Sequence, residues 1–187
     1  MTRLRQAGLT VNTNKCQFAV KRVKCLGHVL KGGLIHPDPD KIAAIKDIKA
    51  PTTKTQVKSI IGLISYYGSF VPNLATIIHP LTELVKKNLP NRVKWAEVEE
   101  RALESVKAIL TSRPVLHPPD TSKNYIIQCD SSNVALGSAL VQLTDDGREV
   151  VIAWGSKKLA PRKVRYSTIE KELYACVWSL QKFENYI

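Results

Sequence analysis

Before Asp38 the chain has no acidic residue, while Arg3, Arg5, Lys15, Lys21, Arg22, Lys24 and Lys31 all fall in that stretch. Over the whole sequence the formal net charge is +12. A clustered surplus of one sign points to an anionic polymer as partner, most commonly a phosphate backbone. A merely solvating face is the blander reading. No apolar run approaches the ~20 residues that span a bilayer. Nothing apolar follows the first five residues in the manner of a signal peptide. The expected setting is therefore intracellular, cytoplasmic and/or nuclear, not secreted, with no membrane partner. Cys16, Cys25, Cys129 and Cys176 lack C-x-x-C spacing and have no histidine placed to complete a zinc site. They are expected as reduced, mostly buried thiols. There is no internal repeat and no low-complexity tract.

What is present is a soluble-type composition, 44% hydrophobic and 24% charged over 187 residues, enough for one large domain or two small ones. Residues 3–9 read as the last turns of a helix ended by Gly8. A domain rarely begins so, and an N-terminal partner is expected to precede it. Short strands are expected over Phe18–Val23 and Cys25–Leu30, with Lys31–Gly33 as a turn. From Pro37 the period becomes helical. Asp38 is placed as an N-cap with Pro39 at the first helical position, and Ile42, Ile45 and Ile48 follow. Thr53 with Gln56 makes a capping box ahead of Val57, Ile60, Ile61 and Ile64. A third helix is expected around Leu81–Lys87. A fourth, Glu97–Thr111, carries Val98, Ala102, Val106, Ile109 and Leu110 on one face. The proline-rich connector from Arg113 to Asp120 then separates a helical middle from a strand-rich end. There, Ala135–Leu143 and Glu149–Ser156 read as strands around an Asp145–Gly147 turn.

Three carboxylates stand out. Asp130 ends the apolar run Tyr125–Cys129, where an ionised group needs a cation, a donor or water; a metal ligand and a turn-capping Asp remain equally open on residue chemistry. Glu170 and Glu172 open a helix, about 200° apart around its axis, so they do not share a site. With Ile169, Leu173, Cys176 and Leu180 taken as the buried stripe, Glu172 lies nearer its edge and is the better ligand. Glu170 reads as a solvated first-turn residue favoured by the helix dipole. His28 and His79 are isolated, which favours hydrogen-bonded roles over metal ligation. Tyr66, Tyr67 and Phe70 offer base stacking or core packing, with packing favoured.

Taken in order, Tyr125–Ser132 and Tyr166–Ala175 resemble the start of the ribonuclease H-like domain in Pol polyproteins of gypsy-like LTR retrotransposons. Upstream, Ala7–Asn12, Lys15–Phe18 and Cys25–Leu30 resemble the end of the reverse-transcriptase palm, with Cys25–Leu30 as the hairpin that grips the primer. Pro37–Ile42, Ile61–Tyr67, Phe70–Asn73, Pro80–Thr82 and the Trp95 helix resemble the thumb. The resemblance implies an α/β (α+β) chain in three parts. These are a palm remnant over 1–36 with a basic strand pair, a helical thumb over 37–113, and over 114–187 a truncated ribonuclease H-like mixed sheet with one helix.

The resemblance also implies chemistry: RNA-directed DNA synthesis, and hydrolysis of RNA in RNA–DNA hybrids assisted by two divalent ions about 4 Å apart. Asp130 and Glu172 match its first two catalytic, metal-binding carboxylates, for Mg²⁺ or Mn²⁺. Two more acidic residues are implied, the third on a strand beyond this helix, and the helix is expected to run on through Phe183–Ile187. No Y-x-D-D turn occurs in the sequence. The stretch is thus expected to hold metal weakly, not to act as a nuclease or polymerase alone, and to bind hybrid or duplex nucleic acid. Lys21, Arg22, Lys24, Leu26, Gly27, His28, Lys54 and Lys58 are the candidate contacts. Tyr67–Phe70 has small residues where related thumbs have basic ones, which argues against a phosphate contact at that corner. Other implied partners are the remainder of the Pol polyprotein and, through an exposed sheet edge, a second copy of the chain. The alternative reading is a non-catalytic, decayed or host-retained protein acting through protein–protein contacts.

Overall fold

The computed structural model describes residues 2–12, 14 and 16–187, so the Lys15 end of the Lys15–Phe18 block lies outside the described residues. Helix α1, Thr2–Gln6, ends as its sequence demands. Gly8 takes φ +68°, Gly8 N–H donates to Arg5 O, and Leu9 N–H donates to Leu4 O at 2.9 Å. That is the double bond of a Schellman stop.

The first sheet has three antiparallel strands, β1 (Arg22–Cys25), β2 (His28–Lys31) and β3 (Leu34–Pro37), in that spatial order. This corrects the expected strands. Leu26 and Gly27 do not continue a strand. They form the turn between paired Cys25 and His28, both with positive φ, +45° and +68°. A two-residue hairpin needs that left-handed pair to match strand twist. The apolar run through Leu26 concealed the turn, and β3 was missed because Leu34–Pro37 is short and ends in proline.

Asp38 caps α2 (Pro39–Lys46), accepting the Asp40 N–H at 3.1 Å. Thr53 and Gln56 close their capping box on α3 (Lys54–Tyr66). Both outcomes follow from side-chain oxygens satisfying helix-end N–H groups. A 3-10 turn at Gly68–Phe70, short helix α4 (Leu74–Ile77), α5 (His79–Leu84) and α6 (Glu97–Thr111) complete the middle. The third helix begins earlier than expected and ends by Leu84. Ile45, Ile64, Tyr67, Phe70, Leu81 and Leu103 are sealed in one core. Val98, expected on the buried face of α6, is 59% exposed, while Leu103, outside the expected face, is buried. Lys107 is buried and donates to Ile48 O at 2.8 Å, tying α6 to the chain just after α2.

The second sheet, β4 (Ile126–Ser131), β5 (Ala135–Leu143) and β6 (Glu149–Lys158), is antiparallel in the order β4–β5–β6. Its central strand is buried over eight of its nine residues because both faces are covered. Helix α7 (Thr168–Lys182) covers one face, with Ala175 and Trp178 against Leu136, while Phe183 packs on Leu140. On the other face Ala75 N–H donates to Ser156 Oγ at 2.9 Å, and Trp154 joins the helical core. The connector is strapped down: Leu116 and Ile35 exchange both backbone bonds, and His117 N–H donates to Val151 O. Among the described residues no helix is long and apolar enough to cross a membrane.

Two expectations about α7 are corrected. It stops at Lys182, with Phe183 as its C-cap, rather than running to Ile187. Its supposed buried stripe is the exposed one, with Ile169 at 73% and Leu173 at 63% accessible. The sheet instead meets Lys171, Ala175, Trp178 and Ser179. Small residues at 175 and 179 permit close approach, and a Cβ on Gly155 would come within 3.3 Å of Trp178 and Phe183.

Two outcomes are expected of this architecture. Lys158 Nζ, from β6, binds Glu83 Oε1 and Thr82 Oγ1, both at 2.7 Å. Lys158, with Lys86, holds the Glu83 carboxyl down at about 2 from its ordinary 4.5. A depressed acid contributes stability above its unfolded pKa and loses it as pH falls toward the folded value. Thermal melts should therefore show a Glu83-dependent loss between pH 4.5 and about 2, softened by solvent screening and absent in Glu83→Gln. Second, truncation of sealed Phe70 to Ala should cost about 3–5 kcal/mol in urea unfolding.

Candidate nucleic-acid interface and metal corner

The tip of the β1–β2 hairpin is fixed from below by aromatic side chains. Leu26 O accepts from Tyr66 Oη and lies 2.6 Å from His28 Nδ1. Since a carbonyl can only accept, Nδ1 is the protonated nitrogen. Gly27 O accepts from Tyr67 Oη at 3.1 Å and from Asp38 N–H at 3.0 Å. The His28 ring stacks on Phe70 at 5.6 Å between centroids and touches Tyr66 and Tyr67. Tyr67 and Phe70 are therefore core residues, while Tyr66 stays half exposed. A Cβ on Gly27 would sit 2.8 Å from Tyr66 Oη. The result is a rigid tip that projects Leu26, 83% exposed, away from the body.

The candidate cations divide in two. Lys24 is held by Asp38 at 3.1 Å and by Asp40. Lys54 donates to the carbonyls of Lys86 and Leu89, fastening that loop to the start of α3. Lys21, Arg22 and Lys58 are exposed and make no ion pair among the described residues. Sequence reasoning missed a cavity of about 520 Å³ between the first sheet, α2 and the end of α6. Arg22, Lys31, His36, Lys46 and Arg113 line it over Val29 and Ile42, and no carboxylate does. These residues are spread across the sequence, so no local pattern could reveal their convergence. A second missed feature is Tyr174. Lys163 Nζ lies 3.3 Å from its ring centroid and Lys157 Nζ 5.9 Å, and Lys163 foremost draws the phenol below its usual range.

Asp130 and Glu172 each accept a hydrogen bond from Ser131 at the end of β4. Ser131 Oγ donates to Glu172 Oε1 at 2.6 Å, and Ser131 N–H donates to Asp130 Oδ1 at 2.8 Å. Strand pleating puts Ser131 on the α7 face and Asp130, exposed, on the other. Glu170 is not part of the corner. It accepts from the Ser167 N–H and hydroxyl at 2.8 Å as the capping-box acid of α7, which holds its carboxyl below the usual range. Cys129 lies beside the corner, its thiol pushed up to about 11 by burial, by Cys176 and by the two carboxylates. Cys25 and Cys176 are exposed rather than buried.

His79 stands alone. Its Nδ1 is buried without a partner, and Nε2 lies 3.9 Å from Glu83. Among the described residues no three His, Cys, Asp or Glu side chains gather as a metal cluster. The corner's donors are hard oxygens, the right chemistry for Mg²⁺ or Mn²⁺, and each carboxylate keeps one oxygen outside these hydrogen bonds. They supply a fraction of what a two-ion centre needs.

Residues 95–187 match the model of the RNase H-like domain found in reverse transcriptase. The chain is 36% identical over 186 residues to the retrovirus-related Pol polyprotein of transposon 297 from Drosophila melanogaster, matching 100% of this chain and 17% of that one. It is 30% identical over 187 residues to the transposon Tf2-3 polyprotein of Schizosaccharomyces pombe, 14% of whose length it spans. Its fold is that of a foamy viral protease–reverse transcriptase solved with double-stranded DNA, at TM-score 0.81 and 24% identity, over 98% of this chain and 32% of that one. The same viral protein solved with an RNA/DNA hybrid matches at TM-score 0.79 and 23% identity, over 92% of this chain and 23% of that chain. Residues 95–187 thus belong to the RNase H-like domain found in reverse transcriptase, and the chain is similar over its whole length to retrotransposon Pol polyproteins, of which it spans about a sixth.

Proposed function

We propose that this stretch binds the backbone of an RNA–DNA hybrid or duplex within a reverse transcriptase, and lends Asp130 and Glu172 to a metal centre completed by other residues of the polyprotein. The observation that carries the reading is the immobilised hairpin tip beside uncompensated cations. Leu26 and Gly27 are bolted to Tyr66, Tyr67 and Asp38, while Lys21, Arg22 and Lys58 remain unpaired among the described residues. In this reading residues 1–36 end a palm, 37–113 form a thumb and 114–187 open the ribonuclease H-like unit. Leu26, Gly27 and His28 set the tip against one strand, and the long cations meet phosphates. Lys31, Lys46 and Arg113 at the cavity extend the same basic face. Lys24 and Lys54 act as braces for the hairpin and for α3 rather than as direct contacts.

When bound, a divalent ion supplies charge to polarise a phosphodiester and lower the pKa of water. The chain's own part is to hold two carboxylates about the end of β4, with Ser131 orienting Glu172. Two carboxylates leave such an ion weakly held. The 187 residues alone should bind nucleic acid without cleaving it.

A second reading has one observation in its favour. Ile169, Leu173, Val177 and Leu180 form an exposed apolar stripe along α7, each more than half accessible. Contiguous apolar surface of this kind marks a protein contact, and further polyprotein packed on α7 would use it.

Anisotropy titration of a labelled RNA–DNA hybrid tests the first reading. Affinity should fall steeply with salt, and Lys21→Ala, Arg22→Ala and Lys58→Ala should each flatten the log–log salt slope by about 1. Lys24→Ala should flatten it less. Salt-insensitive binding, or none by a folded sample, contradicts the proposal; self-association in sedimentation without hybrid binding favours the second reading. Mn²⁺ titration followed by water-proton relaxation should show Asp130→Asn and Glu172→Gln weakening the ion roughly tenfold or more. Affinity unchanged in both variants would remove the corner from the metal centre.

A further inference from the structure

Strand β4 and helix α7 are held together at one further point, used neither by the nucleic-acid face nor by the metal corner. Cys129 Sγ and Cys176 Sγ lie 3.3 Å apart, across a separation of 47 residues. Both are free thiols, Cys129 half-buried on the α7 face of β4 and Cys176 exposed on the helix. Two thiols in contact, one open to solvent, can exchange with a dissolved disulfide without unfolding. Cys16 and Cys25 have no such sulfur contact among the described residues.

We propose that Cys129 and Cys176 are an oxidative modification site, closed to an intramolecular disulfide by a low-molecular-weight disulfide of the glutathione class. Cys176 attacks one sulfur of glutathione disulfide, forming a mixed disulfide and releasing one glutathione. Cys129 then attacks Cys176 Sγ, the protein S–S bond forms as the mixed S–S bond breaks, and the second glutathione leaves. The two thiol protons pass to the two departing glutathiones. The protein loses two electrons and two protons, and the oxidant gains them. The bridge ties α7 to β4 two residues from Ser131 and four from Glu172, so it fixes the helix against the strand that forms the corner.

The placement of the sulfurs, not the nucleic-acid reading, carries this inference, and its test is independent of binding. The folded full chain is incubated with glutathione disulfide, and alkylated peptides are mapped by mass spectrometry. The expected product is a monomer about 2 Da lighter, with the Cys129 and Cys176 peptides linked and released by dithiothreitol. Closing so long a loop should raise the melting temperature by roughly 5–10 °C, a rise absent from Cys129→Ser and Cys176→Ser. A stable glutathione adduct on Cys176 without the bridge would overturn the proposal. So would a disulfide that joins Cys176 to a second copy, or a bridge that leaves the melting temperature unchanged or lowers it. If Cys129→Ser folds poorly, Cys129→Ala is the control, and adduct retention on its Cys176 is then the expected result.

Discussion

The surface proposed to meet nucleic acid depends on hydrogen bonds between a two-residue turn and the aromatic end of α3. The turn itself is unfavourable for its first residue, because Leu26 has a Cβ in left-handed backbone, φ +45°. Such strain is of order 1–3 kcal/mol and persists only where neighbours impose it. Here Tyr66, Tyr67, His28 and the Asp38 N–H together fix the carbonyls of Leu26 and Gly27. The same Asp38 caps α2 and pairs with Lys24, so one short acid links the hairpin, the next helix and the basic strand. The hairpin tip is thereby hydrogen-bonded to the helical core.

A second constraint is the coverage of the β4–β6 sheet from both sides. β5 alternates larger residues toward α7, such as Leu136 and Leu140, with small ones, such as Gly137 and Ala139, toward α4 and the helical core. Asn73 fits where a Cβ on Gly137 would collide with its side chain. Ser156, Lys158 and Trp154 of β6 then reach across to α4, α5 and the core. The end of β4 that bears Asp130 and the hairpin thus hang from one continuous packed body.

Much of this was legible where a local rule acts alone. Asp38 before Pro39, and Thr53 before Gln56, announced helix starts because orphan N–H groups need nearby oxygens. The strands of the second sheet and the fourth helix were readable by pattern. What could not be read depended on partners distant in sequence. On α7 the most apolar stripe was assumed to face inward, but Ala175, Trp178 and Ser179 are the buried residues, with Trp178 and Phe183 set against the bare backbone of Gly155, and Leu173 is exposed. Glu172 still reaches the corner, by bonding Ser131 rather than by bordering that stripe. Lys24 and Lys54 looked like free cations until Asp38, Asp40 and the Lys86–Leu89 carbonyls were seen to claim them. The Cys129–Cys176 contact and the basic cavity have no sequence signature, since each joins segments many tens of residues apart.

The central claim is that a rigid hairpin tip and its flanking cations form the nucleic-acid face. Amide hydrogen exchange of the chain, with and without a saturating RNA–DNA hybrid at low salt, addresses this most directly. New protection at Lys21–Lys31 and at the first turns of α3, with slow exchange of the Gly27–Asp38 contact already in the free protein, is the predicted result. Protection confined to α7, or an exchange pattern that hybrid leaves unchanged, would contradict it.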